Sequence, residues 1–201
     1  MSEDFRTAVT RMLEQEARPV DKFGHQPRLY ALACQIGEGL VYDDDIVFAA
    51  AWMHDLGVFV GNRPEDPTAL SSWDHVGYAC SRVPDLLARC GFPAEKTPAV
   101  LDAIRTHQPQ DDPQTIEATI LRDADILEQL GAIGILRNVS KVGRDTRYQR
   151  FSDILPVLRK ALASLPAQLR IERARELAKP RITLLASFLE AADREAGVFL
   201  Y

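Results

Sequence analysis

The sequence has few of the features that mark several common protein classes. Only three of its 201 residues are cysteines, an odd number without Cys-x-x-Cys spacing, so neither a disulfide framework nor a zinc knuckle is predicted. The apolar stretch at residues 46–53 is far too short to cross a bilayer. The N-terminus lacks the basic and then apolar layout of a signal peptide. These absences predict a cytoplasmic protein without a membrane segment.

The chain has no excess of positive charge and few aromatic residues. The net charge is −5 and aromatic residues make up 7% of the chain, whereas 46% is hydrophobic and 26% charged. Nucleic-acid binding depends on clustered positive charge, so this balance argues against a nucleic-acid partner. The composition and length are those of an ordinary globular protein, and we interpret residues 1–201 as a single domain.

Helical spacing of apolar residues runs through nearly the whole chain, and no segment alternates like a strand. The predicted fold class is therefore all-α. A helix running to Asp55 is expected to end at Gly57, and Pro180 is expected to restart a helix. The predicted helices cover 3–17, 27–36, 46–55, 73–87, 98–107, 116–127 and 131–139, with Ser72 expected to cap the helix at 73–87 and Thr115 the helix at 116–127. From residue 151 onward two or three more helices are expected, including 167–178 and 181–195.

Three acidic residues, Asp43, Asp44 and Asp45, precede the apolar helix at 46–55. Such a triplet resembles a cation site, but acids are also what a helix N-terminus favours through capping and the helix dipole. We interpret the triplet as a helix start. The polar loop at residues 61–71, by contrast, is long enough to serve as a lid or a substrate loop.

Histidine is the residue whose scarcity is most informative. The chain has only four, and each lies at or near the end of a predicted helix: His25, His54, His75 and His107. Taken singly, each is an ordinary structural histidine. Together with Asp55 and with Asp123 and Asp125 on a core-facing helix, they predict a metal site. Imidazole nitrogens and carboxylate oxygens suit a divalent ion such as iron, manganese, magnesium or zinc, with positions left for water.

The order of these residues resembles the HD superfamily of metal-dependent phosphohydrolases. Residues 49–57, AAAWMHDLG, resemble the central helix of that family, which ends in the "HD" pair. Residues 121–135, LRDADILEQLGAIGI, are similar to the DADRLDALGAIGI stretch of one bacterial subgroup of HD hydrolases. Residues 25–28 fit its His-x-x-Arg opening. The resemblance covers residues 20–140 and implies an all-α helical bundle. The helical spacing of apolar residues predicts additional C-terminal helices over residues 145–201.

The resemblance also implies which residues bind metal. His25, His54, Asp55 and Asp125 match the four shared ligands of the family, and His75 and His107 match two extra histidines that hold a second ion in part of the superfamily. One or two metal ions per chain are therefore expected. Asp125 is chosen over Asp123 because Ala124 and Asp125 align with the Ala-Asp of the family. Asp123 is then expected to accept a hydrogen bond from a ligand histidine.

The resemblance implies hydrolysis of a phosphate ester or anhydride, with a nucleotide or a small phosphorylated metabolite as substrate. Asp55 would bridge or ligate the metal, and Asp123 is the candidate for accepting a proton. Basic side chains that suit a phosphate are Arg28, Lys141, Arg144 and Arg147. Ile126 replaces the arginine that usually follows Asp-Ala-Asp, and the chain after residue 140 does not match the subgroup, so the substrate stays open.

Two other functions remain open on the same scaffold. Some HD-fold proteins with six ligands hold a mixed-valence di-iron centre and oxidise their substrate with dioxygen. A non-catalytic ligand-sensing module is a second alternative, although an intact ligand set argues against it. The C-terminal helices could also form the interface of a homodimer.

Overall fold

The computed structural model describes residues 4–19, 23–145, 147–196 and 199. This part of the chain contains α-helices and short 3₁₀ turns and no named strand, which confirms the predicted all-α class. None of the described helices combines the length and the apolar character needed to cross a bilayer. The α-helices are α1 (Phe5–Glu16), α2 (His25–Ile36), α3 (Asp44–Met53), α4 (Pro67–Ser71), α5 (His75–Arg89), α6 (Thr97–Arg105), α7 (Ile116–Glu128), α8 (Gly131–Val139), α9 (Ile154–Ser164) and α10 (Glu172–Ala196).

The chain divides into two compact units, Met1–Ala124 and Asp125–Tyr201, with the boundary inside α7. In the first unit α3 lies at the centre, because it packs against α1, α2 and α6. All its residues from Ile46 to Met53 are buried. A helix that is apolar on every side is expected to be enclosed by others. In the second unit α10 packs against α8 and α9.

Polar contacts fix the start of α3. The carboxylate of Asp43 accepts a hydrogen bond from the Asp45 backbone N–H at 3.0 Å, as in an N-cap. Arg6 of α1 contacts Asp44 and Asp45 at 2.8 and 2.6 Å. The hydrogen bond from Arg6 holds the pKa of the Asp45 carboxyl below its usual value. The interpretation of the acidic triplet as a helix start is confirmed.

Several predicted boundaries were wrong, each for a local reason. α3 ends at Met53 rather than at Asp55, and Gly57 lies in a 3₁₀ turn, Leu56–Val58. α5 begins at His75, because Asp74, not Ser72, accepts a hydrogen bond from the Gly77 N–H at 2.8 Å. The loop at residues 61–71 contains the short helix α4.

The C-terminal prediction was also wrong in its division of the last helix. α10 is continuous from Glu172 to Ala196 and includes Pro180, which had been expected to restart it. Pro180 is exposed, so water can satisfy the carbonyl that loses its intrahelical partner. Residues 167–171 belong to a 3₁₀ turn and a connection rather than to the start of a helix.

Candidate metal centre

The last turn of α3 sets the orientation of His54. This residue caps the helix, with its backbone N–H donating to the Ala50 carbonyl at 3.0 Å, and it is almost fully buried. Its ring Nδ1 lies 3.0 Å from the Ala51 carbonyl. A carbonyl can only accept, so Nδ1 carries the proton and Nε2 presents a lone pair. The backbone therefore fixes the tautomer that a metal ligand needs.

His25 is the first residue of α2, and its ring lies next to the Nε2 atom of His54. Its ring is buried, and its Nε2 lies 3.3 Å from Nε2 of His54. The two ring centroids are 5.2 Å apart, in an edge-to-face arrangement. Because His54 offers a lone pair here, the two rings can share a proton or bind one cation together. A buried pair of imidazoles with converging nitrogens fits a divalent metal.

Asp55 adds a carboxylate to the two imidazoles. Its Oδ2 is 3.7 Å from Nε2 of His25, and its Oδ1 is 3.6 Å from Nε2 of His54. The backbone at Asp55 has φ −97° and ψ 14°, in the sparsely allowed region between helix and strand. This conformation follows the end of α3 and turns the carboxylate toward both rings.

His107 reaches the same place from the end of α6. It is buried, and its Nδ1 lies 2.6 Å from the carbonyl of Ile104, three residues earlier. His54 makes the same contact to the carbonyl of Ala51, which also lies three residues earlier. The ring centroids of His54 and His107 are 5.0 Å apart, and potential ligand atoms of His54, Asp55 and His107 all lie within 4.8 Å of one another. Two helix ends thus present histidines of the same tautomer beside one carboxylate.

His75 lies further out. It is the first residue of α5 and is half-buried, and its ring centroid is 6.3 Å from that of His107. Its Nε2 lies 3.5 Å from the side-chain nitrogen of Gln108. The group of mutually close ligand atoms around His54 does not include His75 within the described part of the chain. Its role at a second ion stays a prediction.

The acids of α7 are placed differently from each other. Asp123 is fully buried, with its Oδ1 3.6 Å from Nη1 of Arg122. Asp125 is half-buried and begins the second unit, where its carboxylate accepts a hydrogen bond from Gln129 at 3.2 Å and lies 3.9 Å from Arg137. Asp123 is expected from the sequence to accept a hydrogen bond from a ligand histidine, whereas the Nδ1 atoms of His54 and His107 each contact a backbone carbonyl. The roles of Asp125 as ligand and Asp123 as proton acceptor stay predictions.

The predicted phosphate-binding residues lie in both units. Arg28 is exposed on α2, three residues after His25. In the second unit Lys141 lies 5.7 Å from the centre of the Tyr148 ring, and Arg144 is exposed.

Arg147 has a strong local partner in Asp145. Its guanidinium pairs with the Asp145 carboxylate at 2.6 Å and lowers the pKa of that carboxyl to about 2. A phosphate would have to compete with Asp145 for this guanidinium.

Sequence reasoning missed two residues beside the centre, Arg122 and Gln108. Arg122 is buried and contacts the backbone of the turn after His107, whereas Gln108 in that turn faces His75. The available signal was a charged residue next to Asp123 on a core-facing helix, where an unpaired cation is costly.

Comparison with known proteins decides the family. The model of the HD domain matches residues 23–130, which is more than half of the chain. The chain belongs to the HD-domain family. The matched segment of this HD protein contains all four histidines, Asp55, Asp123 and Asp125.

Relatives of this HD protein extend over its whole length. The uncharacterized protein YpgQ of Bacillus subtilis is 28% identical to this chain, and the match covers 96% of this chain and 93% of the length of YpgQ. The crystal structure of YpgQ in complex with ADP is 26% identical, covers 95% of this chain and 92% of that one, and gives a TM-score of 0.69. An HD-superfamily hydrolase of Bacillus thuringiensis, at 22% identity, covers 95% of each chain with a TM-score of 0.69 and shares the fold.

Proposed function

We propose that this HD protein is a metal-dependent phosphohydrolase that acts on a nucleotide or a small phosphorylated metabolite. The observation that carries the proposal is the contact of 3.3 Å between Nε2 of His25 and Nε2 of His54, with the Asp55 carboxylate beside both. Converging imidazole nitrogens contribute little to core packing, but they suit a divalent ion.

We assign the residues that would hold metal from the family pattern. His25, His54, Asp55 and Asp125 would bind one ion, and His75 and His107 would contribute to a second. A bound divalent ion would lower the pKa of a coordinated water and neutralise charge on phosphoryl oxygens. This ligand set leaves positions for water, as catalytic sites do.

The protein side chains have distinct tasks in this proposal. The carbonyls of Ala51 and Ile104 hold the Nδ1 protons of His54 and His107, so both Nε2 atoms stay available as ligands. Asp123 is the proposed acceptor for the proton of the attacking water. The guanidinium and ammonium groups of Arg28, Lys141, Arg144 and Arg147 are the proposed contacts for the substrate phosphate.

A nucleotide is the substrate class favoured by the comparison with YpgQ. That relative crystallised in complex with ADP and matches this chain over nearly its full length. A nucleoside diphosphate has two phosphates, which suits a site with both metal ions and several basic side chains. We therefore expect nucleotides to be hydrolysed faster than simple phosphomonoesters.

Replacing His54 or Asp55 with alanine tests this function. Each change removes a proposed ligand, so metal-dependent phosphate release from a nucleotide panel is expected to fall to background, with helical content by circular dichroism unchanged. Asp193→Ala is the control, because Asp193 is exposed on α10 and pairs with Arg159. Full metal-dependent turnover in both His54→Ala and Asp55→Ala would refute the assignment.

A further inference from the structure

A buried arginine lies beside the candidate metal centre, on α7. Only 3% of Arg122 is exposed, although arginine is among the residues that proteins seldom bury completely. Enclosing a guanidinium costs free energy unless its donors are paired. The hydrogen-bond partners of the Arg122 guanidinium therefore indicate which part of the structure this side chain holds in place.

Those partners lie in the turn that follows His107. The Arg122 Nε donates to the Gln108 carbonyl at 3.3 Å, and its Nη2 donates to the Pro109 carbonyl. Its third nitrogen, Nη1, lies 3.6 Å from the Asp123 carboxylate. The planar fork of one guanidinium thus joins α7 to two consecutive peptide groups. A lysine ammonium is a single point charge without this geometry.

The turn itself carries two side chains of the candidate site. α6 ends at Arg105, so His107 lies beyond its last helical residue. The Gln108 backbone N–H donates to Asp111 at 2.9 Å, and the Asp111 N–H donates back to the Gln108 carbonyl at 2.9 Å. These bonds close the turn on itself but do not fix it to another helix. The hydrogen bonds from Arg122 fix the turn to α7.

We propose that Arg122 is a positioning residue, which holds the turn after His107 so that Nε2 of His107 and the side chain of Gln108 face His54, Asp55 and His75. The proposal rests on the proposed function, since the value of this alignment lies in metal binding. Arg122 touches neither metal nor substrate and acts through the two carbonyls that it holds.

The experiment compares Arg122→Met and Arg122→Lys with the full-length wild type. Arg175→Met is the matched control, because Arg175 also donates to a backbone carbonyl, that of Leu169 at 3.0 Å, in the second unit. Affinity for Mn²⁺ is measured by titration calorimetry. The tautomer of His107 is measured in metal-free protein by ¹⁵N NMR, with His107→Gln used to assign its signals among the four histidines.

In Arg122→Met the affinity for Mn²⁺ is expected to fall about 10–100-fold, the usual effect of losing a group that orients a ligand. His107 is expected to lose its single Nδ1–H tautomer, with smaller changes in Arg122→Lys and none in Arg175→Met. A folded Arg122→Met protein with wild-type affinity and wild-type His107 signals would overturn the proposal. If that variant does not fold, wild-type values of both in Arg122→Lys would overturn it.

The two readouts separate this proposal from the proposed function. A wild-type protein that binds neither Mn²⁺ nor Fe²⁺ contradicts the metal-dependent hydrolase. The tautomer of His107 in metal-free protein still decides whether Arg122 positions the turn, since that signal requires no ion.

Discussion

His54 and His107 share a local geometry that shows how the end of a helix can orient a candidate metal ligand. Each follows a helix and hydrogen-bonds through Nδ1 to the carbonyl three residues earlier, that of Ala51 or Ile104. The last carbonyls of a helix have no intrahelical partner, so a histidine at this position satisfies one of them. The same bond leaves Nε2 with its lone pair facing the centre. One contact thus stabilises the helix end and selects the tautomer.

Gly57 lies in the 3₁₀ turn after Asp55 and packs closely against His75, the first residue of α5. A Cβ on this residue would lie 2.7 Å from the His75 Cα and would also collide with the His75 carbonyl oxygen. Gly57→Ala must therefore displace backbone, and we expect it to lower the free energy of unfolding by about 1–3 kcal/mol, as overpacking does. Urea denaturation followed by circular dichroism measures the change.

Gly37→Ala is the control for this substitution. The atoms that its Cβ would meet belong to the Tyr42 ring, which can rotate away, so a smaller loss is expected. An equal loss in both variants, or none in Gly57→Ala, would contradict the role of Gly57 as a close contact to His75.

The starts of helices were predictable where a single side chain caps them. The apolar run of α3 and its cap Asp43 required no other part of the chain, and Thr115 accepts a hydrogen bond from the Ala118 N–H at 3.3 Å as a cap should. α5 was misread because two residues could cap it and the choice between Ser72 and Asp74 depends on tertiary contacts. Trp73 illustrates one of these, since its indole donates to the Gly57 carbonyl at 2.7 Å.

Proline was the least reliable sign of a helix end. Pro180 interrupts the hydrogen bonds of α10 without ending it, so Pro180→Ala restores a backbone donor in the middle of a helix of 25 residues. We expect this change to raise the free energy of unfolding by about 1–2 kcal/mol, after allowance for the greater freedom of the unfolded chain. Chemical denaturation of the full-length protein measures it.

Pro156→Ala is the matched control for Pro180→Ala. Pro156 lies in the first turn of α9, where the backbone N–H has no intrahelical partner, so a change below about 0.5 kcal/mol is expected. Equal effects of the two substitutions would show that the interior position of Pro180 has no particular cost.

Across the whole molecule, the sequence alone predicted candidate metal-binding side chains but not the distances between them. His25, Asp55 and His107 come from separate segments, and only packing of α2, α3 and α6 in the first unit brings their side chains within a few ångströms. The family resemblance supplied the grouping that periodicity could not. Neither helical spacing nor the family resemblance predicted the contacts of Arg122. They are made to backbone carbonyls of a turn, and the path of a turn cannot be deduced from a pattern of side chains.

The metal content of the purified protein shows whether His54 and its neighbours form a metal centre. Wild type and His54→Ala are purified in parallel without chelators, and divalent metals are counted per chain by elemental analysis. Our expectation is about one or two ions per chain in the wild type and a clear loss in the variant, because His54 is a proposed ligand. Equal metal content in the two proteins, or none in the wild type even after incubation with Mn²⁺ or Fe²⁺, would contradict it.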